Sequence, residues 1–333
     1  MTSELISIEA AHKLIVDALV SNDTSPQNAR SVADALTGAE LAGQGGHGLR
    51  RVPAYAAQTR AGKVKGHAVP TARRVRPGVV RIDAANGFAF PALDLAVGEL
   101  AELAPQQGIA MAGIHRSHHA GVAGLTVEAL ARRGLVGLMF ANAPAAMAPW
   151  GGRKALFGTN PIAFAAPVAG AEPVVVDVSL SKVARGKLMA ARQKNMAIPE
   201  GWALDPEGNP TTDPAAGMAG TMVPLGDAKG TALALMVELL CAGLTGANFA
   251  YEQSSFFDDA GDPPGTGQAL IAVDPLAFGP GATERFAEMV RMIDMQEGAR
   301  VPGHRRREIA ARVRERGVEV DTSLLHEIKA LIV

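Results

Sequence analysis

The chain has 333 residues, 48% of them apolar, which is enough to bury a sizeable core and to fill two domains. Its 32 basic and 33 acidic side chains leave a net charge of −1, so bulk electrostatics offer no hold on nucleic acid or a membrane surface. A single cysteine, Cys241, excludes an internal disulfide, and its place in an apolar run suggests an inert packed thiol. The first residues, MTSELISIEAAHKLIV, lack the basic, apolar and small-residue order of a signal peptide, and no run suits a bilayer span. A soluble, cytoplasmic protein is expected.

Residues 7–20 set Ile8, Ala11, Leu14, Ile15, Ala18 and Leu19 at helical spacing behind Ser7, a suitable N-cap. A second helix is predicted from Pro26, with Ser25 as cap, and it ends in Gly43-Gln-Gly-Gly-His-Gly48. A third covers 52–61. Beyond Pro70 the texture changes: Val79-Val-Arg-Ile-Asp-Ala84 reads as a strand and 93–103 as a helix. Strands are predicted at 109–114, 135–141, 162–167 and 173–177, with helices at about 122–133 and 182–194. Residues 197–226, rich in Pro, Gly, Asp and Thr, read as a long excursion without an element. A helix at 228–243, a loop at 258–267 and a strand at 269–274 follow, then helices at roughly 282–297, 304–316 and 322–332. The expected fold is therefore α/β with a mixed sheet. A mostly helical domain from both termini, 1–72 with 282–333, would flank an α/β domain at 73–281.

Chemistry concentrates in loops. Gly113-Ile-His-Arg-Ser-His-His-Ala-Gly-Val-Ala-Gly124 reads as a strand that stops in a polar glycine turn from which a helix starts. Such a turn exposes backbone N–H groups to an anion and here carries three of eight histidines, the side chains suited to proton transfer near neutrality. Glycine, cations and a hydroxyl recur in Gly151-Gly-Arg-Lys-Ala-Leu-Phe-Gly-Thr-Asn-Pro161 and in Pro224-Leu-Gly-Asp-Ala-Lys-Gly230. An anion-binding enzyme site built from distant loops is expected. Gly43 to Gly48 also spells G-x-G-x-x-G, but a helix precedes it and no acidic residue occurs between Glu40 and Asp83. It fails the context that a Rossmann fingerprint needs, so its glycines are expected to present His47 on a helix-ending loop.

Taken together these segments resemble the malate/L-lactate dehydrogenase family, which is unrelated to the Rossmann-fold lactate dehydrogenases. The matching stretches include Gly46-His-Gly-Leu-Arg-Arg-Val-Pro-Ala-Tyr55, Arg116-Ser-His-His-Ala-Gly121, Asn142-Ala-Pro and Gly158-Thr-Asn-Pro-Ile-Ala163. Asp177-Val-Ser-Leu-Ser-Lys-Val-Ala-Arg-Gly-Lys187, Pro199-Glu-Gly-Trp-Ala203, the 224–230 segment and Val301-Pro-Gly303 continue the family's order. The pairing of Arg-Ser-His-His with Ser-Leu-Ser-Lys-Val-Ala-Arg-Gly-Lys looks most like the (R)-sulfolactate dehydrogenase branch. The resemblance implies a nicotinamide cofactor, NAD or NADP, held outside the Rossmann fold, a small anionic substrate, and usually a homodimer.

It also implies roles for single residues. His47 matches an acid/base histidine and His119 the proton acceptor of the ureidoglycolate branch, so either can exchange the substrate's proton. Arg51 would hold the substrate carboxylate in a bidentate pair, with Thr159, Arg185, Gly186 and Lys187 beside it. Cofactor contacts are implied for His119, Ala120, Gly121, Val122, Ala123, Asp177, Val178, Ser179 and Lys229, and for Pro302, Gly303, His304, Arg305 and Arg306. His115, His118 and His119 lack the second ligand cluster of a zinc site, so no metal is expected. Gly46 stands where the family has serine, and Lys187 where the imine-reducing branch has a carboxylate. The expected activity is NAD(P)-dependent interconversion of a 2-oxo acid and its 2-hydroxy acid. Reduction of a cyclic imine (piperideine- or pyrroline-2-carboxylate) and silent nucleotide binding are the rival readings.

Overall fold

The computed structural model describes residues 2–332. It opens with a short strand, β1 (Ser3–Ile6), and two helices whose starts fall where their caps predict. Ser7 accepts the Ala10 N–H at the head of α1 (Ile8–Val20), and Ser25 accepts from Asn28 at the head of α2 (Pro26–Leu41). The glycine run then coils into two single 3-10 turns, Gly45–His47 and Leu49–Arg51, and α3 (Val52–Arg60) follows. Glu40 explains one of these glycines. Its carboxylate accepts the Leu49 N–H at 2.8 Å, and a Cβ on Gly48 would collide with it. The motif serves close packing of α2 on its own loop.

In the middle of the chain β2 (Thr71–Arg76) and β3 (Val79–Asp83) form a hairpin. α4 (Ala89–Gln107) stops at Gly108 with φ +78°, and β4 (Ile109–Ser117), α5 (Ala123–Ala131) and β5 (Val136–Ala141) follow. Next come β6 (Ile162–Val168), β7 (Ala171–Val178) and α6 (Arg185–Gln193). The predicted excursion at 197–226 holds structure after all. β8 (Ala203–Leu204), β9 (Pro210–Thr211), the short α7 (Pro214–Ala219) and β10 (Thr221–Met222) build a three-stranded sheet in the order β10-β8-β9. Strands of two residues are too short to show a period, which is why the composition read as loop.

α8 (Ala228–Glu238) runs into a π-helical turn, Leu239–Gly243, before β11 (Thr266–Val273). The chain closes with α9 (Ala282–Asp294), α10 (His304–Arg316), β12 (Val318–Asp321) and α11 (Thr322–Lys329). The main sheet runs β2-β3-β4-β11-β5-β6-β7, and only β3 and β4 are parallel. This mixed order is not a Rossmann sheet. β11, drawn from far along the chain, fills the centre between β4 and β5.

The two ends meet through β1 and β12, which pair antiparallel with Ser3 opposite Asp321. Neither strand was predicted, since each is only four residues long. α10 packs on α2, α11 on α1 and α3, and α9 on β6. One buried cluster runs from Ile15 and Leu36 through Tyr55, Leu100 and Ile114 to Met139 and Leu270. Each of these large side chains contributes roughly 1.5–3 kcal/mol on burial. A smaller cluster around Met147, Leu188, Met222 and Cys241 seats α6, α8 and the three-stranded sheet.

Candidate active site

β4 ends in a bend that turns two histidines inward. Arg116 sits at φ +49° and its guanidinium is clamped by Asp83, with Nη2 2.5 Å from Oδ2 and Nε 2.9 Å from Oδ1. Held there, the chain buries His118 and His119 in succession, while His115 stays half-buried near Asp83. His118 meets the edges of Tyr55, Phe88 and Phe256, and among the described residues neither of its ring nitrogens has a hydrogen-bond partner. Burial, with the Arg51 charge second, lowers its pKa to about 3.

His119 is bonded on both sides. Its Nδ1 lies 2.6 Å from Tyr55 Oη and its Nε2 3.0 Å from His47 Nδ1. The two imidazole planes are 14° apart, with centroids separated by 5.0 Å. His47 is half-buried, and its Nε2 has no partner among the described residues and is not sealed from solvent. Burial first and the Arg51 charge second lower the His47 pKa to about 4, and the same causes hold His119 well below the ordinary histidine value. Both rings are neutral at pH 7.

Arg51 comes from the 3-10 turn one helical turn before Tyr55 and is 9% exposed. Its Nε donates to Gly46 O at 2.8 Å, its Cζ stands 4.6 Å from the Phe257 ring centroid, and Nη1 is buried without a partner. A planar cation with an orphaned donor beside neutral imidazoles is suited to a carboxylate. Lys63 and Gln58 fix the loop that supplies the aromatic wall: Lys63 Nζ donates to the carbonyls of Ser255, Asp258 and Ala260, and Gln58 Nε2 to that of Asp258.

A second group of predicted residues gathers at the head of α5. Gly121, at φ +65°, leads through Val122 and Ala123 into the helix, and the half-buried Ala120 stands just before them. The N–H of Gly124 is taken at 2.9 Å by the Asp177 carboxylate, which Gln44 also bonds and burial pushes up in pKa. The helix terminus that the sequence offers to a cofactor anion is thus occupied by the protein's own carboxylate. Arg306, from α10, reaches Glu128 on α5, and Gly303 lies at φ +90° against Val175. Pro302, His304 and Arg305 are exposed beside them.

The third group lies on other loops. Thr159 O accepts from Leu180 N at 2.8 Å and from Ser179 Oγ, next to the exposed Val178. Arg185 Nη1 donates to Ala145 O, Gly186 is open, and exposed Lys187 stands 5.7 Å from the Trp202 ring centroid. Lys229 is exposed in the first turn of α8. Buried Glu238 fastens these loops by accepting from Asn142, Asn160 and Ala250 N. Among the described residues no hydrogen bond or ion pair joins Thr159, Lys187 or Lys229 to His47, His119 or Arg51.

Sequence reasoning passed over Tyr55, Phe256, Gln44, Lys63 and Glu238. Only Tyr55 carried a usable signal, four residues after Arg51 and so on the same helical face. The donor set fits a dinucleotide with anionic phosphates: Lys229 and Arg305 form no ion pair among the described residues, and the Ser179 hydroxyl lies on the segment after β7.

The family described as malate/L-lactate dehydrogenase matches residues 6–329. The chain belongs to that family. It is 49% identical to a (2R)-3-sulfolactate dehydrogenase (NADP(+)) of Chromohalobacter salexigens, over 99% of both chains. Its structure superposes on the delta1-piperideine-2-carboxylate reductase of Pseudomonas syringae pv. tomato with a TM-score of 0.92 at 38% identity, covering 98% of this chain and 99% of that one. The sulfolactate dehydrogenase of Methanocaldococcus jannaschii gives 0.89 at 29% identity, covering 98% and 96%. The mixed non-Rossmann sheet and the resemblance read from the motifs both stand. No helix among the described residues is long and apolar enough to cross a membrane.

Proposed function

We propose that this dehydrogenase uses NADP to interconvert a small dianionic 2-oxo acid and its 2-hydroxy acid, with sulfopyruvate and (2R)-3-sulfolactate as the favoured pair. The single observation that carries the reading is the neutral His47–His119 pair set beside the orphaned donor of Arg51. The substrate carboxylate would take Nη1 and Nη2 of Arg51, which fixes the adjoining C2 against His47. Nicotinamide, when bound, supplies or accepts the hydride at that carbon. His47 Nε2 is the free ring nitrogen, so it meets the C2 oxygen and exchanges the proton that this oxygen gains on reduction and loses on oxidation. His119, bonded on both nitrogens, acts behind it. Phe88, Phe256 and Tyr55 keep water from the inner rings.

Lys229, Arg305 and the Ser179 segment would hold the cofactor phosphates, and Lys187 with Arg185 the second acidic group of the substrate. NADP use and the sulfonate rest on the 49% identical relative. Gly46 and Lys187 count against the cyclic imine reading, because that branch is expected to carry serine and a carboxylate there. The chain would work as a cytoplasmic homodimer, with the exposed Leu233, Leu235 and Met236 of α8 and Leu239 of the turn after it as its contact. The head and tail helices would form the smaller of two domains. The direct test is the oxidation of NADPH and NADH, followed at 340 nm, against sulfopyruvate, oxaloacetate, pyruvate and piperideine-2-carboxylate. Preference for NADPH and the dianionic acids is expected. Preference for the imine, or silence on all four, would remove the reading.

A further inference from the structure

Tyr55 is buried in the main core and stands at the end of the His47–His119 pair farthest from the open Nε2 of His47. Among the described residues its Oη has one hydrogen-bond partner, His119 Nδ1 at 2.6 Å, and the Tyr55 ring packs against those of Phe88 and Phe90. Two proton arrangements satisfy the heavy-atom distances. In one, His119 Nδ1–H donates to Tyr55 Oη, and the phenolic hydrogen is left in an apolar wall with no acceptor. In the other, the phenol donates to Nδ1 and every polar hydrogen along the line has a partner. A buried unsatisfied donor is costly, so the second arrangement wins. The Arg51 charge acts on Tyr55 and favours the same choice, since it draws the oxygen's negative end and turns the O–H dipole away from itself.

We propose that Tyr55 is a positioning residue that fixes the tautomers of both histidines. Its Oη–H donates to His119 Nδ1, which places the His119 proton on Nε2. That N–H donates to His47 Nδ1, which in turn places the His47 proton on Nε2, the nitrogen open to the site. The free protein thus presents an N–H that hydrogen-bonds to a substrate oxygen and polarises its carbonyl for hydride, while the proton that this oxygen gains on reduction is drawn from solvent at the open Nε2 edge, so that no imidazolate is left. Burial pushes the phenol pKa up, so Tyr55 stays protonated and orients the pair without supplying its own proton to turnover. The tautomer assignment needs only the geometry. Its use in catalysis rests on the function proposed above.

The test is the side-chain nitrogen spectrum of protein labelled with 15N-histidine at pH 7, with His47 and His119 assigned by single His→Gln substitutions. In the unsubstituted protein both rings are expected to show one neutral form, protonated at Nε2. Tyr55→Phe should move His119 to a mixture or to the Nδ1-protonated form, and should lower kcat for oxo acid reduction about tenfold with KM within about twofold, the loss of one hydrogen bond. His119 protonated on Nδ1 in the unsubstituted protein overturns the proposal whether or not the variant folds, and so does a Tyr55→Phe protein with unchanged tautomers. If the tautomers are as assigned but no oxo acid is reduced, the proposed function fails and the assignment stands.

Discussion

The pocket around His47, His119 and Tyr55 and the surface around Arg185, Lys187 and Trp202 are built in opposite ways. In the first, His119 is bonded on both nitrogens, Arg51 is held by Gly46 O, and aromatic rings close the walls. In the second, Lys187 is exposed, its nearest partner is the Trp202 ring at 5.7 Å, and its helix buries one residue, Leu188. A dry, tightly bonded pocket shifts pKa values and fixes proton positions. An exposed cation does neither, but it attracts a second negative charge and is easily exchanged. Under the proposed function the contrast becomes a division of labour, with proton chemistry in the buried pocket and selection among acids at the surface loops.

The largest effect expected from breaking the buried side is in His47→Ala. Losing a positioned acid/base costs typically 10²–10⁴-fold, so kcat/KM for oxo acid reduction should fall about 10³-fold by steady-state kinetics. Next is acid lability. The unfolded chain binds protons on histidine near pH 6.5, while folded His118 does so near 3 and His119 well below 6.5. Between these values the unfolded state holds more protons, so stability rises with pH and is lost as pH falls below 6.5. At pH 5 the His118 ring should forfeit about 2 kcal/mol, with His119 acting in the same direction, read as a falling denaturant midpoint, and His118→Phe should flatten that fall. A smaller effect follows from Arg51→Lys, which keeps the charge but loses the fork: KM for the oxo acid should rise about 10–30-fold.

Much of the fold was legible because its longer elements declare themselves. Ser7 and Ser25 marked their helices to the residue, and the apolar strands from β4 to β7 stood where their composition placed them. What escaped were β1 and β12, which only long-range pairing creates, the basic edge strand β2, whose Thr71–Arg76 run has no apolar alternation, and the strands at 203–222, which at two residues each show no period. No local pattern encodes a partner more than 300 residues away. At the site, loop glycines and histidines were visible, and so was the failure of the G-x-G-x-x-G test. The Tyr55 bond to His119 was not, since a tyrosine on an apolar helix face reads as core. Asp177 was visible only as a member of a cofactor segment, because its bond to Gly124 N spans 53 residues.

The division of labour is tested most directly by the ratio of kcat/KM for sulfopyruvate to that for pyruvate in His47→Ala and Lys187→Gln proteins. Lys187→Gln should lower the ratio about 3–10-fold by removing one exposed charge contact, with pyruvate turnover intact. His47→Ala should depress both substrates alike and leave the ratio within about twofold, since it removes chemistry common to both. A ratio that collapses in His47→Ala, or that stays fixed in Lys187→Gln, would contradict the account.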